Sequence, residues 1–206
     1  MRKTPFQNAM DEFTFGEEER KSNFRFFAVF LCVLFLLLFL WNAFVSAFGV
    51  IIVDGNSMNL TLTDGQKLLM RFTTENYQAK RGDVIIVDVK KYNLKDSYGN
   101  PIDFLIKRLI AVEGDKVRCT DGQVEICYAG TSKYVPLDEP YAYYEESYDF
   151  AEYTVDAGEI FFLGDNRTDS KDSRYQEGLS QLNDLYKADD IFGVVPAWTI
   201  KQSCAN

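Results

Sequence analysis

The sequence predicts a mainly β, antiparallel-rich domain with few short helices, preceded by one N-terminal transmembrane helix. Three observations carry this. The run from Phe26 to Val53 has no charged residue and exceeds the ~20 apolar residues that span a bilayer. Beyond it lie short runs of Val, Ile, Leu and Phe bounded by Gly, Asn, Asp or Pro, the pattern of strands and turns. A length of 206 residues leaves room for one span and one globular domain of ordinary size.

Taken in order, residues 1–25 are polar and read as a short, largely disordered tail. The span is placed at Phe26–Phe48, with Gly49 to Val53 beginning the first strand. The apolar run is too long, and the segment before it too long and acidic, for an ordinary cleaved signal peptide. Arg20, Lys21 and Arg25 flank its start, and no Lys or Arg follows until Lys67. The positive-inside bias therefore puts 1–25 in the cytoplasm and 49–206 outside the membrane.

Asp54-Gly55-Asn56-Ser57 follows the apolar run as a turn. Gly55 frees the backbone there, and a bound peptide could approach Ser57. Met58, Leu60 and Leu62 alternate with polar residues, which predicts a strand-like edge. Lys67–Phe72 is a further strand. Arg81-Gly82-Asp83 turns into Val84–Val89, a buried-strand signal. Lys90–Asp103, with Gly99-Asn100-Pro101, is a loop. Phe104–Asp115 is a second buried strand with a lysine set inside it. Asp121-Gly122 between Val117 and Ile126 is a hairpin signal. From Tyr134 to Tyr153 the chain holds six tyrosines, six acids and no basic residue, which reads as an irregular acidic surface excursion. The hairpin and this excursion make an insertion at about 116–158. Glu159–Leu163 is a strand running into a polar loop at 164–174. Residues 175–190 have room for one or two helical turns, and Ile191–Val195 closes the sheet.

Composition narrows the chemistry. The chain has no histidine. That excludes a Ser-His-Asp triad, a Cys-His dyad and any His-ligated metal within it. A hydrolase built from this chain needs another base, and a buried lysine brought down toward pKa ~7–8 can serve. The net charge of −9 falls entirely on residues 54–206, because 1–25 balance five basic against five acidic residues and 26–53 carry none. Such a surface is a poor nucleic-acid binder, and anionic lipid repels it. Attachment to a bilayer must come from the apolar run. The cysteines, Cys32, Cys119, Cys127 and Cys204, form no CxxC pair. No cofactor and no metal are expected.

Lys107 carries the sharpest signal. A lysine inside an apolar strand is costly unless it is edge-facing, paired or functional. Successive strand residues face opposite sides, so Lys107 and Arg108 cannot both point outward. Downstream, Asp165, Asn166, Arg167, Ser170, Asp172 and Arg174 crowd one short loop.

At these residues the sequence resembles the type I signal peptidases, membrane-anchored serine proteases that use a Ser-Lys dyad. Ser57–Leu62 is similar to the family's SMxPTL box, and Arg81–Val84 to its RGD box. Lys107–Asp115 is similar to its KRVxGxxGD box. Gly164–Arg174 carries every fixed position of its GDNRxxSxDSR box.

The resemblance implies roles. Ser57 would be the nucleophile and Lys107 the general base. Ser170 would hydrogen-bond and orient the lysine amine, and Asp165, Asp172 and Arg174 would hold the loop's geometry. The Ser57 main-chain N–H would contribute to an oxyanion hole; Gly55 stands where some relatives have an assisting serine. Val53, Met58, Leu105 and Ile106 are candidate pocket walls, or else ordinary core. Substrates would be preproteins tethered in the lipid bilayer by signal peptides and cut after small residues at −1 and −3. A substrate would lie as an added strand beside the Ser57 and Lys107 strands. Leu60 stands where the box has proline, and proline there would be tolerated if the local φ suits it. The alternative is a catalytically silent membrane-anchored interaction module of the same fold, with Tyr134–Tyr153 as its binding face.

Overall fold

The structure, a computed structural model, describes residues 5–75, 78–145, 148–175 and 185–200, with side chains from residue 23 onward. The chain divides into two units, Met1–Ala47 and Phe48–Asn206.

The first unit is one helix, α1 (Pro5–Ala47). The expected disordered tail is therefore helical from Pro5. Helix growth is cooperative, so a segment continuous with a long apolar helix needs no nucleus of its own. Gln7, Ala9, Met10 and Glu17 to Lys21 are good helix formers. Within α1, Asn23–Ala47 is long and apolar enough to cross a membrane, and Phe26, Leu36 and Phe39 are exposed around it. A helix apolar on all sides and unburied along this span fits a membrane anchor.

Among its described residues the second unit holds eleven strands, β1 (Phe48–Ile52), β2 (Lys67–Phe72), β3 (Val84–Asp88), β4 (Phe104–Val112), β5 (Lys116–Thr120), β6 (Gln123–Cys127), β7 (Val135–Pro136), β8 (Phe150–Thr154), β9 (Glu159–Leu163), β10 (Tyr186–Lys187) and β11 (Ile191–Val195). Short 3-10 turns lie at Lys90–Tyr92, Ala188–Asp190 and Ala197–Thr199. Of the turns expected in 175–190, residues 176–184 lie outside the described part. One sheet has the order β1-β2-β11-β3-β4-β9-β10 and the other β7-β6-β5-β8. All named strand pairs are antiparallel. The last strand does not close an edge. β11 lies between β2 and β3, where Val194 and Val195 are buried.

β4 feeds all three core clusters. Leu105 and Leu109 pack with Ile85, Val87 and Phe162. Ile106 packs against Val53, Met58, Leu62, Val84 and Ile86. Ile110 and Ala111 both pack with Val117, Phe161 and Leu163, because the β4–β9 register shifts between Leu109 and Ala111, and a bulge breaks the alternation of faces.

The β5–β6 hairpin turns at Asp121 and Gly122, both with positive φ, as a two-residue turn of the favoured twist requires. Its register pairs Thr120 with Gln123, Cys119 with Val124 and Lys116 with Cys127. Cys119 and Cys127 are thus far out of register, and both are free thiols; a bridge needs Cα atoms within ~7 Å. Peptide mapping without reductant is expected to recover no Cys119–Cys127 cross-link. Finding one would overturn this register. Cys204 lies outside the described residues.

The tyrosine-rich stretch lies at the surface, as its composition predicts, with none of its described residues buried, but it is tied to the loop at 164–174. Tyr143 N–H donates to Asp165 O at 2.8 Å, and Arg167 N–H to Tyr143 O at 2.8 Å. Glu139 accepts from the buried Arg167 guanidinium. Glu139 thus has a buried basic partner, which removes the reason for this one acid to face water.

Candidate active site

The Ser57 loop is closed at its base by Val53 N–H to Gln66 O and Gly65 N–H to Val53 O, both 2.9 Å. Gly55, at φ 89°, donates its N–H to Asp64 Oδ1 at 2.9 Å. The expected strand-like alternation after Ser57 does not form. Asn59 N–H donates to Asn56 O at 2.9 Å and Leu62 N–H to Met58 O at 2.8 Å, so the segment coils. Met58 and Leu62, four apart, are buried together, and Leu60 is exposed. A spacing of four places two side chains on one side of a coil.

Leu60 sits at φ 78°, so the condition for tolerating proline there is not met. Proline holds φ near ~−65°, and a non-glycine residue in the left-handed region bears strain of roughly 1–3 kcal/mol. Leu60→Pro is expected to lose more than ~1 kcal/mol of stability. Leu60→Gly is expected to gain up to ~1 kcal/mol. Thermal unfolding of both variants checks the pair, and a higher melting temperature for Leu60→Pro would contradict this backbone.

β4 brings the lysine to the serine. Lys107 Nζ donates to Ser57 Oγ at 2.6 Å and to the Ile106 carbonyl at 3.0 Å. Lys107 is only 3% exposed. Burial pulls its pKa down to about 8, while Asp172, Asp165 and Asp169 act to raise it. The amine can therefore lose its proton near neutral pH.

Arg108, the next residue, is buried too. Its Nε and Nη2 donate to Asp165 Oδ1 and Oδ2 at 2.8 and 2.6 Å. Its Nη1 donates to Gly82 O at 2.7 Å, and the guanidinium lies 3.8 Å from the centre of the Tyr141 ring. Thr61 Oγ1 donates to Asp165 Oδ2 at 2.5 Å. Arg174 forks onto Asp172 at 2.7 and 2.9 Å, and Asp172 Oδ2 accepts Gly164 N–H at 3.1 Å. Asn166 N–H donates to Ser57 O at 3.0 Å, which ties this loop to the serine loop.

Ser170 is placed differently from the expectation. Its buried Oγ has no hydrogen-bond partner among the described residues, and the lysine's bonds there go to Ser57 and Ile106. It lies against Gly164, where any Cβ would meet Ser170 Oγ and Ser57 O. The strand end therefore needs glycine. Of the candidate pocket residues, Val53, Met58 and Ile106 pack in one cluster. Leu105 lies apart, with Ile85 and Val87.

Sequence reasoning missed Arg108, Thr61 and Gly164 as parts of this arrangement. Each stands at a fixed letter of the quoted boxes, and that signal was available. Glu139 and Tyr141 offered none, because their acidic, aromatic surroundings resemble a solvated loop.

A hydroxyl is held 2.6 Å from a buried amine, in a β-rich domain that follows an apolar helix in sequence, which sets a nucleophile type beside a basic group. The family described as signal peptidase, peptidase S26, matches residues 24–200, and the chain belongs to it. It is 32% identical to signal peptidase I of Bacillus licheniformis over 74% of this chain and 77% of that one. It is 30% identical to probable signal peptidase I-1 of Synechocystis sp. over 70% of each. A crystal structure of a signal peptidase I from Enterococcus faecalis V583 aligns with TM-score 0.42 and 27% identity, over 58% of this chain and 98% of that one.

Proposed function

We propose that this chain cleaves N-terminal signal peptides from membrane-tethered preproteins, after small residues at −1 and −3, by a Ser57/Lys107 dyad. The observation that carries this reading is the 2.6 Å contact between Lys107 Nζ and Ser57 Oγ. In the neutral amine the bond reverses, and the hydroxyl donates. Lys107 takes the Ser57 proton as Oγ attacks the scissile carbonyl carbon. The Ser57 main-chain N–H supports the oxyanion. As the tetrahedral intermediate collapses, the ammonium returns its proton to the leaving amine, and the mature protein departs. Lys107 then takes a proton from water, which attacks the acyl-enzyme and frees Ser57.

The edge of β4 supports an added substrate strand. Leu109 bonds the turn leading into β3 through both main-chain groups, its N–H donating to Asp83 O at 2.9 Å and its C=O accepting from Gly82 N–H at 2.7 Å. Alternation then turns the main-chain groups of Phe104 and Ile106 to the opposite edge. The β9 ladder on that edge begins only at Arg108. Ile106 is thus a pairing position beside the dyad. Val53, Met58 and Ile106 would wall the pocket for the small side chains. α1 would hold the enzyme beside substrates that share its bilayer, raising effective concentration. The positive-inside bias puts the β domain outside the membrane.

The test uses the full chain in detergent with a purified preprotein, and mass spectrometry of the new N-terminus. One cut after a small residue is expected, together with labelling of Ser57 by an acylating inhibitor. No cut and no labelling would leave the silent interaction module instead.

A further inference from the structure

Ile106 has two roles that conflict. Its carbonyl faces the edge of β4 left open by β9, and an added strand would pair there. The same carbonyl accepts a hydrogen bond from Lys107 Nζ at 3.0 Å. A lysine carries its ammonium on a flexible stem, and here the stem bends back onto the carbonyl of its own strand.

We propose that a docking substrate strand takes the Ile106 carbonyl from Lys107, so that binding itself releases the amine to serve Ser57. This inference rests on the dyad reading and adds a regulation to it. While Ile106 O accepts from Lys107, it favours the protonated amine, since a hydrogen bond to a charged form stabilises that form. When a substrate N–H occupies the carbonyl, the ammonium loses one of its two acceptors among the described residues and keeps Ser57 Oγ. Its proton then leaves to solvent more readily, before any bond to carbon forms. The charges that bear on Lys107 are Asp172, Asp165 and Asp169, all from the loop after β9. Asp165 and Asp172 are paired with Arg108 and Arg174. None of them lies on the open edge strand, so docking along β4 changes the acceptor and leaves these ion pairs in place. The substrate would thus activate its own base, and the resting enzyme would hold Lys107 largely charged near neutral pH.

The pH dependence of the full-length enzyme in detergent tests this. The acid limb of kcat/KM reports the free enzyme, and that of kcat reports the enzyme with substrate bound. The kcat limb is expected to lie lower by about one pH unit. Simple exclusion of water by the substrate would also lower it. The deciding arm is therefore a set of peptide substrates in which each main-chain N–H near the cut is replaced in turn by an ester oxygen. An ester keeps the shape and excludes the same water but donates nothing to Ile106 O. One replacement is expected to close the gap between the limbs. Coincident limbs, or a gap that survives every replacement, overturn the proposal and leave the dyad intact. Cleavage by a folded Lys107→Arg enzyme removes the dyad, and this proposal falls with it.

Discussion

Lys107→Arg is expected to abolish cleavage, lowering kcat/KM by about four orders of magnitude or more, in a protein that still folds. Arginine stays charged at any working pH, so it cannot take the Ser57 proton. Ser57→Ala is expected to lose as much, and the two losses are not expected to add, because the groups act as one unit. Ser170→Ala is expected to be milder, since its hydroxyl makes no hydrogen bond to the amine.

On the proposed dyad, activity of the unmodified chain is expected to follow the neutral form of Lys107. Burial places that group's pKa at about 8, so kcat/KM should rise with pH through that value and level off above it. Stability follows with a definite sign. The unfolded lysine, at ~10.4, binds its proton where the folded one has released it, so stability rises with pH between about 8 and ~10.4. Below that window the folded state bears the full cost of a buried ammonium, about 3 kcal/mol. Lys107→Met should therefore raise the melting temperature at neutral pH while removing activity. Preprotein cleavage, with folding followed by circular dichroism, checks the set. Substantial activity in folded Lys107→Arg would sink the assignment.

Arg108→Leu is expected to lower stability by about 3–5 kcal/mol, enough to unfold much of the domain at ordinary temperature. Asp165 is fully buried and accepts both arms of the Arg108 fork. Removing arginine leaves a carboxylate with Thr61 as its remaining side-chain donor. It also opens the space against Tyr141. Arg108→Lys should fall between, because lysine restores the charge without the fork. The double variant Arg108→Leu, Asp165→Leu should be more stable than Arg108→Leu alone, since no charge is left uncompensated. Urea unfolding of the three variants measures the effect. A near-neutral Arg108→Leu would show that this pair does not hold the loop to the strand.

The long apolar helix, the strands and the two residues that meet, Ser57 and Lys107, were legible because each rests on local pattern. A charge-free run of this length is read without knowing its neighbours. Val84–Val89 reads as a buried strand and Glu159–Leu163 as a strand from consecutive apolar residues, and the structure has strands at Val84–Asp88 and Glu159–Leu163. The hairpin at Asp121-Gly122 follows from two residues that tolerate positive φ. Lys107 stood out because an apolar strand is a costly place for a charge.

Other features were not legible, for stated physical reasons. Met58, Leu60 and Leu62 alternate in sequence, yet the chain coils there, because closure of the Val53–Gln66 loop outweighs a short period-two pattern. Alternation required only one of Lys107 and Arg108 to point inward, and both are buried, because both faces of β4 are covered. The helix from Pro5 arose from continuity with the span, which a polar composition does not reveal.

By itself, the sequence determined the local matters: an apolar anchor, a β-rich domain, and a serine and a lysine inside boxes similar to one peptidase family. Tertiary structure alone decided which groups meet. It set Lys107 Nζ against Ser57 Oγ across 50 positions of chain. It gave Asp165 to Arg108 across 57. It left the Ile106 edge open where β9 stops, and it brought Glu139 and Tyr141 from a seemingly solvated stretch onto buried arginines. The physical reason is that period and turn chemistry act between neighbours in sequence. Desolvation and ion pairing act between neighbours in space, and only the folded sheet makes those neighbours.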